Sequence, residues 1–177
     1  MKNLESLIKT YNDFPQKGIA FKDILGIMHD PEVFRELILK MSSNKVIKSS
    51  EAIISIEARG FIFGSAISLQ TSKPMVVARK PGKLPNETFK KSFDLEYGST
   101  SIEIQKKTDI NKNHRIIIVD DLIATGGTAI ACAELFTENF DIQKSNILIL
   151  SVIDLPGLGG SKLIVEKGYQ VKTIMEF

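Results

Sequence analysis

Four consecutive β-branched residues, Ile116-Ile-Ile-Val119, run straight into two aspartates and then, after Leu122-Ile123, into the small-residue turn Ala124-Thr-Gly-Gly-Thr128. An apolar run of this kind is expected where a strand is covered on both faces, as in a parallel sheet flanked by helices. The almost bare backbone of Ala124, Thr125, Gly126, Gly127 and Thr128 can point its N–H groups at one anion, aided by threonine hydroxyls and the positive end of the helix that follows. Asp120 and Asp121 stand at the strand's end beside that turn, and side-by-side acids there are costly without partners. The segment therefore reads as a phosphate cup next to acceptors for the vicinal hydroxyls of a ribose. A solvated acid pair and a flexible glycine turn would account for the pieces separately but not for their adjacency. Neither GxxxxGK[ST] nor GxGxxG occurs, which leaves no support for an ordinary ATPase loop or a dinucleotide fold.

The rest of the chain alternates between helix-like and strand-like apolar patterns, as in an α/β protein with one central sheet. Asp30-Pro31-Glu32 is a helix start, with a capping carboxylate, a proline whose missing N–H costs nothing there, and an acid in the positive first turn. The helix after it is expected to bury Val33, Phe34, Leu37, Ile38 and Met41. Strands are expected at 52–56, 75–79, 116–119 and 147–152, with helices at 61–70 and 127–139. Glu57-Ala-Arg-Gly60 then lies on a strand-to-helix turn, and the sites to inspect are the turns after each strand, where ligands of open parallel sheets settle. One long polar stretch, 81–93, holds two prolines, a glycine and three lysines and reads as a mobile lid.

A chain of 177 residues is within the range of one domain, and no repeat or linker marks a second. Twenty-three basic against 21 acidic residues, a formal charge of +2, suggests no nucleic-acid or membrane partner, so any anion must be caught locally. No apolar run approaches a membrane span and the first residues lack a signal peptide's apolar stretch, so a cytoplasmic location is expected. A single cysteine, Cys132, is read as helical packing, and His29 and His114 are too few and too far apart for a histidine-cysteine zinc site.

The stretch Val119-Asp-Asp-Leu-Ile-Ala-Thr-Gly-Gly-Thr128 resembles the 5-phosphoribosyl 1-pyrophosphate signature of the type I phosphoribosyltransferases. Asp13-Phe-Pro15, Gly18-Ile-Ala-Phe-Lys-Asp-Ile24, Glu57-Ala-Arg-Gly-Phe61, Arg79-Lys-Pro-Gly-Lys-Leu-Pro85, Leu95-Glu-Tyr-Gly98 and Ile102-Glu-Ile-Gln105 resemble, in order, the adenine phosphoribosyltransferases of that family. The resemblance implies one phosphoribosyltransferase domain over 1–177, with a mainly parallel sheet flanked by helices, a small hood from about 1–30 and a lid at about 80–98. It also implies the joining of adenine to 5-phosphoribosyl 1-pyrophosphate with release of pyrophosphate and AMP in purine salvage. Mg2+ would be held through the substrate's pyrophosphate and ribose rather than directly by the protein, and the enzyme would be a homodimer.

By that resemblance the pyrophosphate loop holds Arg59, which can clamp phosphate oxygens in a fork; the blander reading is an ion pair with a neighbour such as Glu57. Arg79, Lys80 and Lys83 lead into the lid and by resemblance help neutralise pyrophosphate. Departure of the leaving group should build positive charge at C1 of the sugar, which carboxylates and a water-excluding closure would stabilise. Glu96 is the candidate to take the proton that adenine sheds, with Tyr97 beside it contacting pyrophosphate or sugar. Ala20 and Lys22 occupy the adenine-reading positions, where the family commonly has a bulkier aliphatic and an arginine; recognition by backbone groups tolerates both changes. Asn86 stands in the lid where glycine is common, and Pro156-Gly-Leu-Gly-Gly160 reads as a structural turn before a last helix. A sister transferase acting on another base would share the cup but is not expected to carry all the flanking motifs. A sugar-phosphate sensor without catalysis would need a DNA-binding segment for which there is neither a spare domain nor a basic surplus.

Overall fold

The computed structural model describes residues 4–43, 45–95 and 98–177, which fall into two compact units, Met1–Lys40 and Met41–Phe177. In the first unit, strands β1 (Lys9–Asn12) and β2 (Ala20–Asp23) pair antiparallel, with Asn12 opposite Ala20 and Thr10 opposite Lys22. Asp13 Oδ1 accepts the Gly18 N–H at 2.7 Å across the connecting loop, and Phe14 meets Phe21 edge-on at 5.1 Å. A 3-10 turn, Leu25–His29, then leads to helix α1 (Pro31–Ser42). Its start is as expected: Asp30 Oδ1 accepts the N–H groups of Glu32 at 3.2 Å and Val33 at 3.3 Å. Val33, Leu37, Ile38 and Met41 are buried, while Phe34 is half-buried.

The second unit contains α2 (Lys45–Lys48), β3 (Ala52–Ile56), α3 (Gly60–Thr71), β4 (Met75–Ala78), β5 (Thr88–Leu95) and β6 (Gly98–Gln105). These are followed by β7 (Ile116–Ile123), α4 (Gly127–Phe140), β8 (Ile147–Asp154), α5 (Gly160–Glu166) and β9 (Gln170–Glu176). Five strands form one sheet in the order β4-β3-β7-β8-β9, every neighbouring pair parallel. All their carboxyl ends therefore open on one edge. From β3 the chain steps outward to β4, whereas from β7 it steps the other way to β8 and β9. The crevice at such a switch point, between β3 and β7, is where a parallel sheet offers room for a ligand. β3 and β8 are buried along their whole length, which is why their sequences lack alternation.

Two expectations need correction. The strand beginning at Ile116 does not stop at Val119 but runs to Ile123, so Asp120 and Asp121 lie inside it. Asp120 pairs with Ser151 and Leu122 with Ile153 on β8, and each carboxylate has a partner at the site, the Asp121 N–H for Asp120 and Arg59 for Asp121. The strand at 75 ends one residue early, Arg79 forming only an isolated bridge with Glu103. Within the stretch expected to form the lid, residues 88–93 lie in β5, which pairs antiparallel with β6 from Thr88 opposite Gln105 to Leu95 opposite Gly98. Alternation puts Phe89, Lys91 and Phe93 on one face of β5. Phe89 lies edge-on to Phe140 at 5.7 Å, and the Lys91 ammonium meets Glu134 at 3.0 Å and also Glu138, both on α4. Burial costs Lys91 little here, because those two hydrogen-bonded carboxylates hold its pKa above the ordinary value. Asn86, just before β5, takes φ +65, a left-handed conformation that explains why glycine suits this position and asparagine replaces it.

Candidate active site

Three segments at the carboxyl edge of the sheet, together with the β5–β6 hairpin, build a cavity of about 570 Å³. The turn after β3 contributes Glu57, Ala58 and Arg59; the segment after β4 contributes Arg79, Lys80 and Lys83; β7 and the start of α4 contribute Asp120, Asp121 and Thr128. Phe93, Thr100 and Ser101 of the β5–β6 hairpin close the remaining side. The Glu57–Ala58 peptide is cis.

The blander reading of Arg59, an ion pair with Glu57, is not what forms. Arg59 Nε instead meets Asp121 Oδ2 at 2.6 Å, joining the β3 turn to β7 across the switch point. Asp121 is buried, and its N–H donates to Asp120 Oδ1 at 2.9 Å. Burial and the adjacent Asp121 carboxylate push the Asp120 carboxyl well above the ordinary range, and Arg59 only partly offsets this. Space for the pair is made by Gly60, where a β-carbon would lie 2.8 Å from the Val119 carbonyl oxygen and 3.2 Å from Asp120 Oδ1.

Glu57 gathers the cations instead. Its carboxylate accepts the Lys83 ammonium at 2.5 Å, Arg79 Nε at 3.2 Å and the Lys80 backbone N–H at 3.0 Å. Burial alone would raise the Glu57 pKa, but the hydrogen bonds from Lys83, Arg79 and the Lys80 backbone outweigh it and hold the carboxyl at about 2. The cation-bearing turn is fixed from its other side as well: Arg79 and Glu103 exchange backbone hydrogen bonds at 2.9 and 2.7 Å, and Glu103 Oε2 accepts the Gly82 N–H at 3.2 Å.

The phosphate turn follows the end of β7. Gly126 takes φ +82 at the start of α4, and the first N–H groups of a helix have no partner within it. The turn rests on the segment before α5, where the Gly160 N–H donates to the Ala124 carbonyl at 3.1 Å. Cys132 is fully buried in α4, and burial pushes its thiol pKa up, as suits packing rather than nucleophilic attack.

Of the residues singled out from the sequence, Arg59, Arg79, Lys80, Lys83, Asp120, Asp121 and Thr128 converge on this one cavity. Ala124, Thr125, Gly126 and Gly127 form the adjoining turn and helix start. Ala20 and Lys22 belong to the hairpin of the N-terminal unit, where Lys22 Nζ donates to Thr10 Oγ1 at 2.9 Å. Glu96 and Tyr97 lie outside the described residues. Sequence reasoning missed Glu57 as a cation hub, Phe93, Thr100 and Ser101 as walls, and Gly160 as the support of the turn. Only Glu57 left a signal, an acid ending one apolar run while three cations follow the next.

A parallel sheet with a small-residue turn, an acid pair and an arginine-lysine cluster at its switch point defines a phosphoribosyltransferase of type I. The phosphoribosyl transferase domain matches residues 29–155. The chain is 58% identical over 157 residues to the adenine phosphoribosyltransferase of Prochlorococcus marinus (strain MIT 9515), covering 89% of this chain and 90% of that protein. In structure it is similar to the APRTase of Giardia lamblia complexed with 9-deazaadenine, with a TM-score of 0.92, 31% identity and 99% and 96% of the two chains covered. It is also similar to the adenine phosphoribosyltransferase of Saccharomyces cerevisiae complexed with adenine and an imino-altritol bisphosphate, with a TM-score of 0.85, 36% identity and 98% and 97% covered. The chain belongs to the adenine phosphoribosyltransferase family.

Proposed function

We propose that the cavity joins adenine to C1 of 5-phosphoribosyl 1-pyrophosphate, releasing pyrophosphate and AMP for purine salvage. The observation that carries this reading is the convergence of the acid pair, the arginine-lysine cluster and Thr128, the last residue of the phosphate turn, on a single cavity of about 570 Å³. In this reading the N–H groups and hydroxyls from Ala124 through Thr128 take the 5-phosphate. Asp120 and Asp121 face the ribose hydroxyls, Asp121 also aligning Arg59. Arg59, Arg79, Lys80 and Lys83 neutralise the pyrophosphate, so that the charge leaving C1 is received by cations already gathered there. Glu96 takes the proton from the incoming base, Tyr97 contacts sugar or pyrophosphate, and Ala20 and Lys22 of the N-terminal hairpin read the purine edge through backbone groups.

The acid pair suits a divalent cation brought in with the substrate, since the Asp120 carboxyl, pushed up by burial and by the adjacent Asp121 carboxylate, is relieved by positive charge. Mg2+ bound to pyrophosphate and ribose oxygens would supply charge neutralisation of the leaving group. Among the described residues no helix is long and apolar enough to cross a membrane. The family resemblance supports a cytoplasmic location and a homodimer, the latter tested by light scattering on the purified protein.

A panel of radiolabelled bases with 5-phosphoribosyl 1-pyrophosphate and Mg2+ tests the reaction. AMP from adenine alone is expected; IMP or GMP instead would assign the chain a different base, and substrate binding without any product would remove the catalytic reading.

A further inference from the structure

We infer that Glu57 is a built-in anion that competes with pyrophosphate for Arg79 and Lys83, keeping ground-state affinity low and helping the product leave. The inference rests on the proposed assignment of those cations to pyrophosphate. Glu57 Oε1 meets Lys83 Nζ at 2.5 Å and Arg79 Nη2 at 3.4 Å, while Oε2 meets Arg79 Nε at 3.2 Å and the Lys80 N–H at 3.0 Å. One carboxylate thus engages two of the three side-chain cations on the β4 side of the cavity, Arg79 and Lys83. Its side chain is only 8% exposed, against 32% for Arg79 and 47% for Lys83. The anion is the enclosed, fixed partner, and the cations are the ones with room to turn to a ligand.

A tethered carboxylate has no translational freedom to lose when it takes these donors, whereas a free anion does. An entering pyrophosphoryl group must therefore draw Arg79 and Lys83 away from a partner that is always in place. When the bond at C1 breaks and pyrophosphate has to leave, the same carboxylate recaptures the cations. A residue that only held the cations in position would act in the opposite direction, since its loss would scatter them and weaken anion binding.

The sign of the effect decides between the two. Pyrophosphate binding with Mg2+ is measured by calorimetry, with ribose 5-phosphate saturating the phosphate turn, alongside product inhibition in the forward reaction. Glu57→Gln is expected to bind pyrophosphate about tenfold or more tightly, with a matching fall in its inhibition constant. Glu57→Asp, which keeps the charge, should stay near wild type. Unchanged or weaker pyrophosphate binding in Glu57→Gln overturns the inference, as does equal tightening in Glu57→Asp. Should Glu57→Gln not fold, Glu57→Ala carries the same expectations. Arg79→Ala separates the two levels of the argument: if it leaves pyrophosphate affinity intact, the subsite assignment itself is wrong. If it abolishes binding while Glu57→Gln gains nothing, only the role of Glu57 fails.

Discussion

Gly126 and Gly160 interlock: a β-carbon on Gly126 would lie 2.9 Å from the Gly160 carbonyl oxygen, and one on Gly160 would lie 2.7 Å from the Gly126 nitrogen. These approaches are closer than real β-carbons make, and the atoms met are backbone, which cannot swing aside. Gly126 also needs its positive φ of +82. The shape of the phosphate turn is thus set jointly by its own sequence and by a segment that follows β8.

Gly160→Ala is therefore expected to displace the turn and raise the KM for 5-phosphoribosyl 1-pyrophosphate about tenfold or more, with a smaller change in kcat. Ribose 5-phosphate affinity, read by calorimetry, should fall in parallel while pyrophosphate affinity holds. Gly157→Ala is the control, because a β-carbon there meets nothing within 4 Å. If both variants behave like wild type, the turn does not depend on this contact.

Asp120→Asn should separate stability from binding. Burial and the Asp121 charge raise the Asp120 pKa, so keeping it ionised at neutral pH costs folding free energy, and the cost grows as pH rises through the folded-state value. Asparagine removes that charge yet its carbonyl oxygen can still accept the Asp121 N–H that Asp120 accepts at 2.9 Å. A gain of about 1 kcal/mol in urea unfolding is expected, together with a loss of about tenfold in substrate affinity from the weakened bonds to ribose hydroxyls. Unchanged affinity would remove Asp120 from the ribose site.

How much of this was legible depends on whether the partner lies nearby in sequence. The apolar runs at Ala52–Ile56 and at residues 147–152 announced buried parallel strands because both faces are covered, and Asp30 announced α1 through a local cap. Asp120 and Asp121 looked like a strand end because their tolerance inside β7 depends on Arg59, which arrives from β3. That Lys91 sits in a paired strand was not legible, since nothing local shows that Glu134 and Glu138 of α4 wait for it. β9 escaped notice because its exposed and half-buried residues lack a clean alternation. Glu57 was weighed only against Arg59, two residues on, whereas its partners follow the adjacent strand.

Glu96→Gln tests the proposed base. A group that only receives a proton in the transition state contributes to turnover and little to sugar-phosphate binding. The substitution should lower kcat about a hundredfold or more while the affinity for 5-phosphoribosyl 1-pyrophosphate stays within about threefold. Equal losses in both would take the residue out of that role and leave it as a binding group.

The acid limb of stability should report on Glu57. Its pKa falls from 4.5 to about 2 on folding because hydrogen bonds from Lys83, Arg79 and the Lys80 N–H together outweigh the opposing effect of burial. A carboxylate with a depressed folded-state pKa stabilises the protein fully above its unfolded value, and that contribution is lost as pH falls through the folded one. Glutamine in its place keeps a carbonyl acceptor but turns an amide N–H towards donors, so Glu57→Gln should be less stable than wild type at neutral pH. The gap in urea midpoint should hold steady down to about 5, then narrow as pH drops from 4.5 towards about 2. A gap that stays constant over that window would mean the cluster does not lower the carboxyl's pKa in the folded protein, and the ion pairs seen at Glu57 contribute nothing to holding the β4 turn.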